Sequence, residues 1–250
     1  MSSGLIIVTG GSRGIGAAIC RRLAADGYAV AVNYAADAKA AEATVAEIKK
    51  SGGNAQAFQA DVADPAQLPR LFDQATQALG PLAGLVNNAG VSGRFARVEE
   101  RDADELAQLF AVNVIGTILG CKEAVLRLST RHGGSGGSIV NLSSVAARTG
   151  GLPGLVTYSA TKGAIETLTK GLATEVGPEG IRVNAVAPGV IETDMTQPLL
   201  AQASARERLE AMTPLRRLGA PEEVAEAAAW LISPAARFVT GSVLTVSGGR

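Results

Sequence analysis

The 250-residue sequence is poor in the residues that form metal, disulfide and hydrolase sites. Its two cysteines, Cys20 and Cys121, lie far apart in helix-like segments, so they indicate neither a disulfide framework nor a metal site. The single histidine, His132, stands beside a run of glycines and is interpreted as a solvated loop residue. Without a cluster of His, Cys and carboxylates we expect no metal. A Ser–His–Asp hydrolase would need a histidine with supporting residues around it.

The chain also lacks an excess of charge and a long apolar run. Lys plus Arg and Asp plus Glu number 23 each, so nothing favours nucleic acid or an anionic membrane as a partner. No basic segment precedes a long apolar core, and we expect neither a signal peptide nor a membrane span, which needs about 20 apolar residues. Free thiols and the absence of such segments predict a cytoplasmic protein.

Short β-rich runs alternate with Ala-rich amphipathic segments along the whole chain. The predicted strands are Leu5–Thr9, Ala29–Asn33, Asn54–Gln59, Gly84–Asn87, Ser138–Leu142, Arg182–Ala187 and Val243–Val246. The predicted helices include Ile15–Asp26, Ala38–Lys50, Pro65–Leu79 and Tyr158–Val176. This alternation predicts an α/β fold of Rossmann type, doubly wound, with a mainly parallel seven-stranded sheet and helices on both faces. With no repeat and no linker, residues 1–250 are predicted to form a single domain.

Two segments are predicted to be irregular. The run Gly133–Gly137 is flexible by composition. Residues 191–217 contain helical pieces interrupted by Pro198 and Pro214, and they follow a strand end, where α/β sheets bind ligands. We interpret this segment as a substrate lid, with a plain surface excursion as the alternative.

A glycine-rich turn joins the first strand to the first helix. Gly10 permits a tight turn, Gly14 allows the backbone to approach a pyrophosphate, and Gly16 allows close packing of helix and strand. The helix N-terminus then presents N–H groups to phosphates. Many βα turns need glycine, so the prediction of a dinucleotide depends on the position of this turn after the first strand as well as on its residues.

Nearly the whole chain resembles the short-chain dehydrogenase/reductase family. The motifs that carry the resemblance occur in the family's order: Thr9-Gly10-x-x-x-Gly14-Ile15-Gly16, Asp61-Val62, Asn87-Asn88-Ala89-Gly90, Asn113, Ser144, Tyr158-x-x-x-Lys162 and Pro188-Gly189. The resemblance implies an oxidoreductase whose catalytic residues are Asn113, Ser144, Tyr158 and Lys162. It also implies a set of cofactor-binding residues, namely Gly10, Ser12, Arg13, Gly14, Ile15, Gly16, Asn33, Tyr34, Asp61, Val62, Asn87, Ala89, Gly90, Tyr158, Lys162, Pro188, Gly189, Val190 and Thr193.

The resemblance further implies individual roles. Asp61 and Val62 lie beside the adenine, Asn113 bends a helix and holds a proton-relay water, and Thr193 binds the nicotinamide carboxamide. Asn87, Ala89 and Gly90 border the cofactor, while Pro188, Gly189 and Val190 meet its nicotinamide end.

Carbonyl reduction needs hydride at carbon and a proton at oxygen, and the protein supplies the acid. Tyr158 and Lys162 are four residues apart and share a helix face. A neighbouring ammonium is expected to lower the pKa of the Tyr158 phenol from about 10. Ser144 is expected to donate to the substrate oxygen, with Ser143 as the competing serine. The spacing from Ser144 to Tyr158 is one residue longer than is commonest in the family.

The cofactor is predicted to be NADP(H), with NAD(H) as the alternative. An NAD site places Asp or Glu at the end of the second strand, and here that position is Tyr34. Asp37 lies further on and is assigned to the next helix. Arg13 can reach a 2′-phosphate through bidentate hydrogen bonds, and Asn33 can add a neutral one.

The substrate is a small carbonyl or secondary alcohol in either direction of reaction. A 3-oxoacyl-carrier-protein reductase is one alternative, although Glu179 stands just before Gly180, where the resemblance often places Arg, Lys or Ser. Arg127 and Arg131 could supply some positive charge. A non-catalytic NADP-binding sensor is another alternative, but it would not need the four catalytic residues. The resemblance also implies a homotetramer, assembled through apolar helices.

Overall fold

The computed structural model of the protein, which describes residues 4–201 and 203–250, contains one sheet of seven parallel strands. Their order across the sheet is β3-β2-β1-β4-β5-β6-β7, and each neighbouring pair is parallel. The predicted Rossmann-type fold is therefore confirmed, with small differences at strand ends. The strands are β1 (Leu5–Val8), β2 (Ala29–Tyr34), β3 (Asn54–Gln59), β4 (Leu82–Asn87), β5 (Gly137–Leu142), β6 (Ile181–Pro188) and β7 (Val243–Val246).

Helices connect the strands and cover both faces of the sheet. In the described residues the α-helices are α1 (Gly14–Ala25), α2 (Ala38–Lys50), α3 (Gln67–Leu79), α4 (Ala103–Phe110), α5 (Gly116–Leu128), α6 (Ala146–Thr149), α7 (Val156–Val176), α8 (Gln197–Leu200), α9 (Ala203–Met212) and α10 (Pro221–Ile232). The four helices predicted by their periodicity correspond to α1, α2, α3 and α7.

The strand β1 explains why the sequence shows a continuous apolar run at this point. Ile6 and Val8 point into a core formed with α1, α2 and α10, whereas Leu5 and Ile7 point into a second core formed with α3, α5 and α7. All four side chains are fully buried, as expected for a central strand of a parallel sheet covered on both faces.

The carboxyl ends of the central strands meet at one edge of the sheet. Val8 pairs with Val86, Asn87 with Asn141, and Leu142 with Val186, so β1, β4, β5 and β6 end close together. The chain order reverses between β1 and β4, which is where doubly wound sheets bind ligands. The loops after these four strands carry most of the predicted site residues.

Within the run Gly133–Gly137, which the composition predicts to be flexible, Gly134, Gly136 and Gly137 lie close to other backbone segments. The N–H of Gly134 donates to Ser129 O at 2.8 Å, and that of Gly136 donates to Leu128 O at 2.7 Å. A Cβ on Gly134 would collide with the carbonyl of Leu128, and one on Gly137 would lie 2.6 Å from Ala83 O. Glycine is required here because backbone segments approach closely.

A continuous helical stretch, Ala103–Leu128, joins α4 and α5 through a π-helical turn at Ala111–Ile115. Its length and composition are those of a possible membrane span, which the sequence analysis did not expect. Core residues of α5 such as Cys121, Ala124 and Leu128 pack against the sheet, so a core helix also accounts for this apolar stretch.

Residues 191–217 contain α8 and α9, apart from residue 202, which lies outside the described residues. Leu200, Leu209 and Leu218 form a small apolar cluster against Leu152 and Val190. The segment predicted as a lid therefore packs on the loop that leads to α7.

Candidate active site

The turn between β1 and α1 has the backbone shape that a phosphate group requires. Gly10 and Gly14 adopt positive φ angles of 62° and 53°, which favour glycine. A Cβ on Gly16 would collide with Gly10 O and lie 2.5 Å from Asn88 Nδ2. The turn leaves the N-terminal N–H groups of a twelve-residue helix facing the carboxyl edge of the sheet, a general site for anions.

Side chains from neighbouring strands hold this turn in place. Thr9 Oγ1 accepts hydrogen bonds from Asn88 N at 3.0 Å and from Ala89 N at 3.1 Å. Asn88 Nδ2 donates to Thr9 O at 3.0 Å and to Gly10 O at 2.9 Å. The ends of β1 and β4 are therefore fixed to each other, and the turn is organised before any ligand binds.

Asn33 is placed differently from its prediction. Its side chain is 1% exposed; Nδ2 donates to Ala60 O at 2.9 Å and Phe58 O at 3.3 Å, while Oδ1 accepts from Gly10 N at 3.3 Å. Because both ends of the amide are used by backbone groups, the geometry favours support of the Gly10 turn over a hydrogen bond to a phosphate.

The end of β2 carries no carboxylate directed at a ribose. Tyr34 ends the strand, and exposed Ala35 and Ala36 follow. Asp37 caps α2, where its side chain accepts from Ala40 N at 3.0 Å. Arg13 is exposed, and its side chain has no ion-pair partner within the described ranges. A guanidinium in this place can bind a phosphate.

Asp61 and Val62 lie after β3, close to the helical stretch that follows β4. Asp61 Oδ1 accepts from Ala63 N at 2.9 Å, and Gln67 Oε1 accepts from Asp61 N at 2.9 Å. A Cβ on Gly116 would lie 2.7 Å from Val62 O. The pair thus forms a tight, partly buried wall beside the carboxyl edge.

Asn113 lies in the π-helical turn Ala111–Ile115, where the resemblance implies a bent helix. Its Oδ1 accepts from Val91 N at 2.8 Å, and its Nδ2 donates to Val91 O at 2.8 Å and Thr161 Oγ1 at 3.1 Å. All hydrogen-bonding positions of the amide N–H₂ group are thus used by protein groups. The side chain joins the loop after β4 to α7 and has no free donor for a relay water.

Asn87 is equally internal. Its Nδ2 donates to Asn141 Oδ1 at 2.9 Å and contacts Cys121 Sγ at 3.3 Å, so it connects β4 to β5. Ala89 and Gly90, which follow in the same motif, lie at the carboxyl edge of the sheet. A Cβ on Gly10 would lie 3.0 Å from Ala89 Cα, and a Cβ on Gly90 would lie 3.6 Å from Lys162 Nζ. A continuous surface therefore runs from the glycine turn to α7.

Lys162 is a buried cation at the centre of this surface. Its residue is 5% exposed, and Nζ donates to Leu142 O at 2.7 Å, at the end of β5. Burial lowers the pKa of Lys162 to about 8, since removing an ammonium from water favours its neutral form. Nζ lies 5.7 Å from the centroid of the Tyr158 ring, over its face.

The pKa of Tyr158 does not follow the sequence prediction. Burial raises it, and a hydrogen bond with Ser144 lowers it by a smaller amount. Lys162, whose Nζ binds Leu142 O and lies over the ring face, does not produce the expected decrease. The protonated phenol is therefore favoured in this state, as suits a general acid.

The two serines after β5 have separate environments. Ser143 is 4% exposed, and its hydroxyl is within hydrogen-bond distance of Lys162 O at 3.2 Å and Glu166 Oε1 at 3.3 Å. Ser144 is half-buried, accepts from Ala146 N at 3.2 Å, and lies close enough to Tyr158 for its hydroxyl to lower the pKa of the phenol. The Ser144 hydroxyl thus meets the phenol, whereas Ser143 braces α7.

The loop after β6 closes the site opposite α7. Gly189 N donates to Val246 O at 2.9 Å, and a Cβ on Gly189 would lie 2.9 Å from Ser247 Cα. A Cβ on Gly14 would lie 3.3 Å from Thr193 Cγ2. Pro188 and Val190 flank Gly189, so this loop and the glycine turn face each other at the carboxyl edge.

Comparison with known proteins agrees with this geometry. Residues 10–250 match the family model described as enoyl-(acyl carrier protein) reductase. The Escherichia coli K12 protein named uncharacterized oxidoreductase YgfF is 45% identical over 246 residues, covering 98% of this chain and 99% of that protein. The chain belongs to the short-chain dehydrogenase/reductase family. It is therefore an oxidoreductase of that family.

Two further relatives of the family bear on the site. The Staphylococcus aureus Mu50 protein named 3-oxoacyl-[acyl-carrier-protein] reductase FabG is 39% identical over 245 residues, covering 97% of this chain and 96% of that protein. A short-chain dehydrogenase from Burkholderia cenocepacia J2315, solved in complex with NADP, is 38% identical with a TM-score of 0.91. The alignment covers 99% of this chain and 98% of that one.

The structure adds residues around the site that the predicted set of site residues omitted. Thr9 and Asn88 fix the glycine turn, Thr161 holds Asn113, and Asn141 holds Asn87 while donating to Thr169 Oγ1 at 3.0 Å. The signal that could have identified them is polar side chains at or near the ends of otherwise apolar parallel strands. A buried polar group there needs a partner from an adjacent strand or helix.

Proposed function

We propose that the protein is an NADP(H)-dependent carbonyl reductase or secondary-alcohol dehydrogenase. The observation that carries the proposal is the meeting of Ser144, Tyr158 and Lys162 at the end of a glycine-lined surface. Acid, hydrogen-bond donor and cation then lie at one carboxyl edge, where a nicotinamide and a carbonyl can be brought together.

The residues at this edge fit a dinucleotide. The glycine turn has no room for side chains at Gly10 and Gly16, and it presents the N-terminus of α1 to a pyrophosphate. When bound, NADPH would supply the hydride for carbonyl reduction, and NADP⁺ would accept it in alcohol oxidation. The residues proposed to hold the cofactor are those predicted from the sequence. Two of them act indirectly: Asn33 supports the Gly10 turn, and Asn87 joins β4 to β5.

In the reduction, Tyr158 acts as the general acid. Its proton moves to the substrate oxygen while the carbonyl carbon receives the hydride, so that the carbonyl becomes an alcohol. Ser144 donates a hydrogen bond to the same oxygen and stabilises its developing negative charge. Lys162 Nζ binds Leu142 O at the end of β5 and lies over the Tyr158 ring, and Asn113 holds the loop after β4 against α7.

NADP(H) is favoured over NAD(H) by the end of β2. Tyr34, Ala35 and Ala36 bring no carboxylate that would repel a 2′-phosphate, and Asp37 is engaged as the cap of α2. Arg13 is exposed beside the turn and available for bidentate contact. The solved Burkholderia relative, which holds NADP, is in agreement with this proposal.

The substrate is proposed to be a free small molecule. The cations considered for carrier-protein docking are already paired: Arg127 contacts Glu123 at 2.7 Å and Asp73 at 2.5 Å, and Arg131 lies 3.9 Å from Glu179. Glu179 also accepts from Ser129 Oγ at 2.5 Å. A local surface neutralised in this way does not favour an acidic carrier protein, although one relative is named for that substrate.

Residues 191–217 are proposed to close over the substrate, within a single domain spanning the chain. The enzyme is proposed to be cytoplasmic, because Cys20 and Cys121 are free, buried thiols. We also propose a homotetramer, since large apolar side chains are exposed on α4–α5 and around α10. These include Phe110, Ile115, Ile118, Trp230 and the fully exposed Phe238. Light scattering that finds only monomer at micromolar concentration would contradict this assembly.

The function is tested by NADPH oxidation with a panel of ketones and diketones, on wild type and Tyr158→Phe. The variant keeps the ring but removes the phenol proton, so turnover is expected to fall at least about 10²-fold. NADPH binding, followed by cofactor fluorescence, is expected to persist. Near-normal turnover in Tyr158→Phe would refute the acid role. Cofactor binding without turnover of any carbonyl by wild type would favour a sensor.

A further inference from the structure

A buried arginine, Arg101, connects two loops that flank the proposed site. Its side chain is 1% exposed and lies after β4, two residues before α4. Its Nη2 donates to Gly154 O at 2.9 Å and also to Arg94 O. Its Nη1 donates to the carboxylate of Glu105. Its Nε is buried with no hydrogen-bond partner in the described residues. Burying a guanidinium is costly, so the contacts it makes need a structural reason.

Gly154 belongs to the loop 150–155, which lies between Ser144 and Tyr158. Because Ser144 and Tyr158 both lie at the proposed site, the intervening residues 145–157 must leave the site and return to it. The position of this loop therefore sets the wall next to both side chains. Its length is also the point at which the chain departs from the commonest family spacing.

Two separate donors bind the same carbonyl. Gly154 O accepts from Arg101 Nη2 at 2.9 Å and from Ala96 N at 3.2 Å. Gly154 has a φ of 86°, and a Cβ there would lie 3.1 Å from Ala96 N. This close approach joins the segment 94–101 to the loop 150–155, and only a glycine permits it without strain.

The other side of the loop 150–155 contacts the proposed lid. Leu152 packs against the cluster Leu200, Leu209 and Leu218. On the α7 side, Ser159 Oγ donates to Gly150 O at 2.8 Å. The loop is thus held by apolar packing toward the lid, by α7 at its start, and by Arg101 on the side of β4.

We propose that Arg101 is a positioning residue that sets the substrate pocket by holding Gly154. Arg101 does not touch the reacting atoms; it acts through the loop 150–155 on the space beside Ser144 and Tyr158. This inference rests on the proposed function for its kinetic consequence, but the placement of the loop is a property of the folded chain alone.

The test compares Arg101→Met with Arg97→Met, a matched change in the same segment. Arg97 has an exposed side chain that pairs with Glu99 and does not contact Gly154. Hydrogen exchange in peptides covering 94–101 and 150–155 is expected to accelerate in Arg101→Met relative to Arg97→Met, and exchange in α1 is expected to stay unchanged. Arg101→Lys keeps one charged donor and is expected to give an intermediate increase.

Kinetics supply the second readout. For the best carbonyl substrate, kcat/KM is expected to fall at least about tenfold in Arg101→Met, since a misplacement of about 1 Å can cost about 10²-fold. The Kd of NADPH is expected to be unchanged, because the glycine turn does not contact Arg101. Arg101→Lys is expected to recover part of the lost kcat/KM. A general loss of stability would weaken cofactor binding as well, so reduced kcat/KM at an unchanged Kd for NADPH points to the loop.

The outcomes separate this inference from the proposed function. If hydrogen exchange in Arg101→Met equals that in Arg97→Met, Arg101 does not place the loop 150–155. This result holds whether or not a substrate is found. Faster exchange with unchanged kcat/KM overturns the role in the pocket. If wild type reduces no carbonyl, the proposed function fails while the exchange comparison still decides the placement of the loop. If Arg101→Met does not fold, Arg101→Lys is compared with Arg97→Lys by the same measurements.

Discussion

Ser143 and Ser144 provide a matched pair of alanine substitutions with different expected results. Ser144→Ala removes the hydroxyl that meets Tyr158 and accepts from Ala146 N, whereas Ser143→Ala removes contacts to Lys162 O and Glu166. Each change removes hydrogen bonds of a partly or fully buried hydroxyl, at about 0.5–1.5 kcal/mol for each net bond. We therefore expect both variants to lose about 1 kcal/mol of unfolding free energy, so stability alone does not distinguish them.

Turnover distinguishes the two variants. Loss of a donor to a developing oxyanion costs about 10²–10³ in kcat, or about 2.7–4 kcal/mol. Ser144→Ala is expected to lose about 10²-fold in kcat. Ser143→Ala is expected to stay within about fivefold, because a loss of 1 kcal/mol that is confined to the folding equilibrium leaves the barrier nearly unchanged. Glu166 remains paired with Arg148 at 3.1 Å in that variant, so no buried charge is left alone.

The assay is NADPH oxidation at saturating cofactor, with urea unfolding of the same preparations as the control for stability. A pH profile of alcohol oxidation adds a third measurement. The Ser144 hydroxyl lowers the pKa of Tyr158, so its removal should raise that pKa. The phenol must be deprotonated to act as the base in oxidation, so the ascending limb of the profile should move to higher pH. A larger loss of kcat in Ser143→Ala than in Ser144→Ala would refute this assignment of the two hydroxyls.

Three further predictions concern the cofactor turn and Lys162. Arg13→Ala should lower kcat/KM for NADPH about tenfold and leave that for NADH nearly unchanged; an unaltered cofactor preference would contradict the phosphate role of Arg13. Gly16→Ala should weaken NADPH and NADH alike by at least about tenfold in Kd, because its Cβ would collide with Gly10 O, whereas Gly171→Ala, with open space around it, is the control. The pKa of Lys162 is lowered to about 8, so the unfolded chain holds this proton at pH values where the folded chain has lost it. The unfolding free energy of wild type should therefore rise relative to that of Lys162→Met as pH increases from 8 to 10; urea titrations showing a constant difference would contradict this cause.

Much of the fold was predictable because each strand and helix has a local signature. The central strand Leu5–Val8 is apolar at every position since both of its faces are buried, and α2 was predicted with the bounds that the structure gives. The spacing of Tyr158 and Lys162 placed them on one helix face. In each case the information lies within a few turns of helix or one run of strand.

The candidate site was predicted less completely because its geometry depends on contacts between distant segments. Asn33 at a strand end suggested a ligand, but Gly10, Phe58 and Ala60 use its amide. The glycine run Gly133–Gly137 suggested flexibility, but close approach to Leu128, Ala83 and Gly180 explains it. Composition gives the same pattern for a free loop and for a tightly packed one.

The sequence by itself therefore determined the fold class, the order of elements and the types of residue at the carboxyl edge. The spacing of apolar residues along the chain and the chemistry of individual side chains are local properties, and they are enough for those conclusions. Only the tertiary structure decided which serine meets Tyr158, in which direction the pKa of that phenol moves, and that Arg101 holds Gly154. These depend on distances of about 3 Å between segments that are far apart in the chain, and on the burial those contacts create.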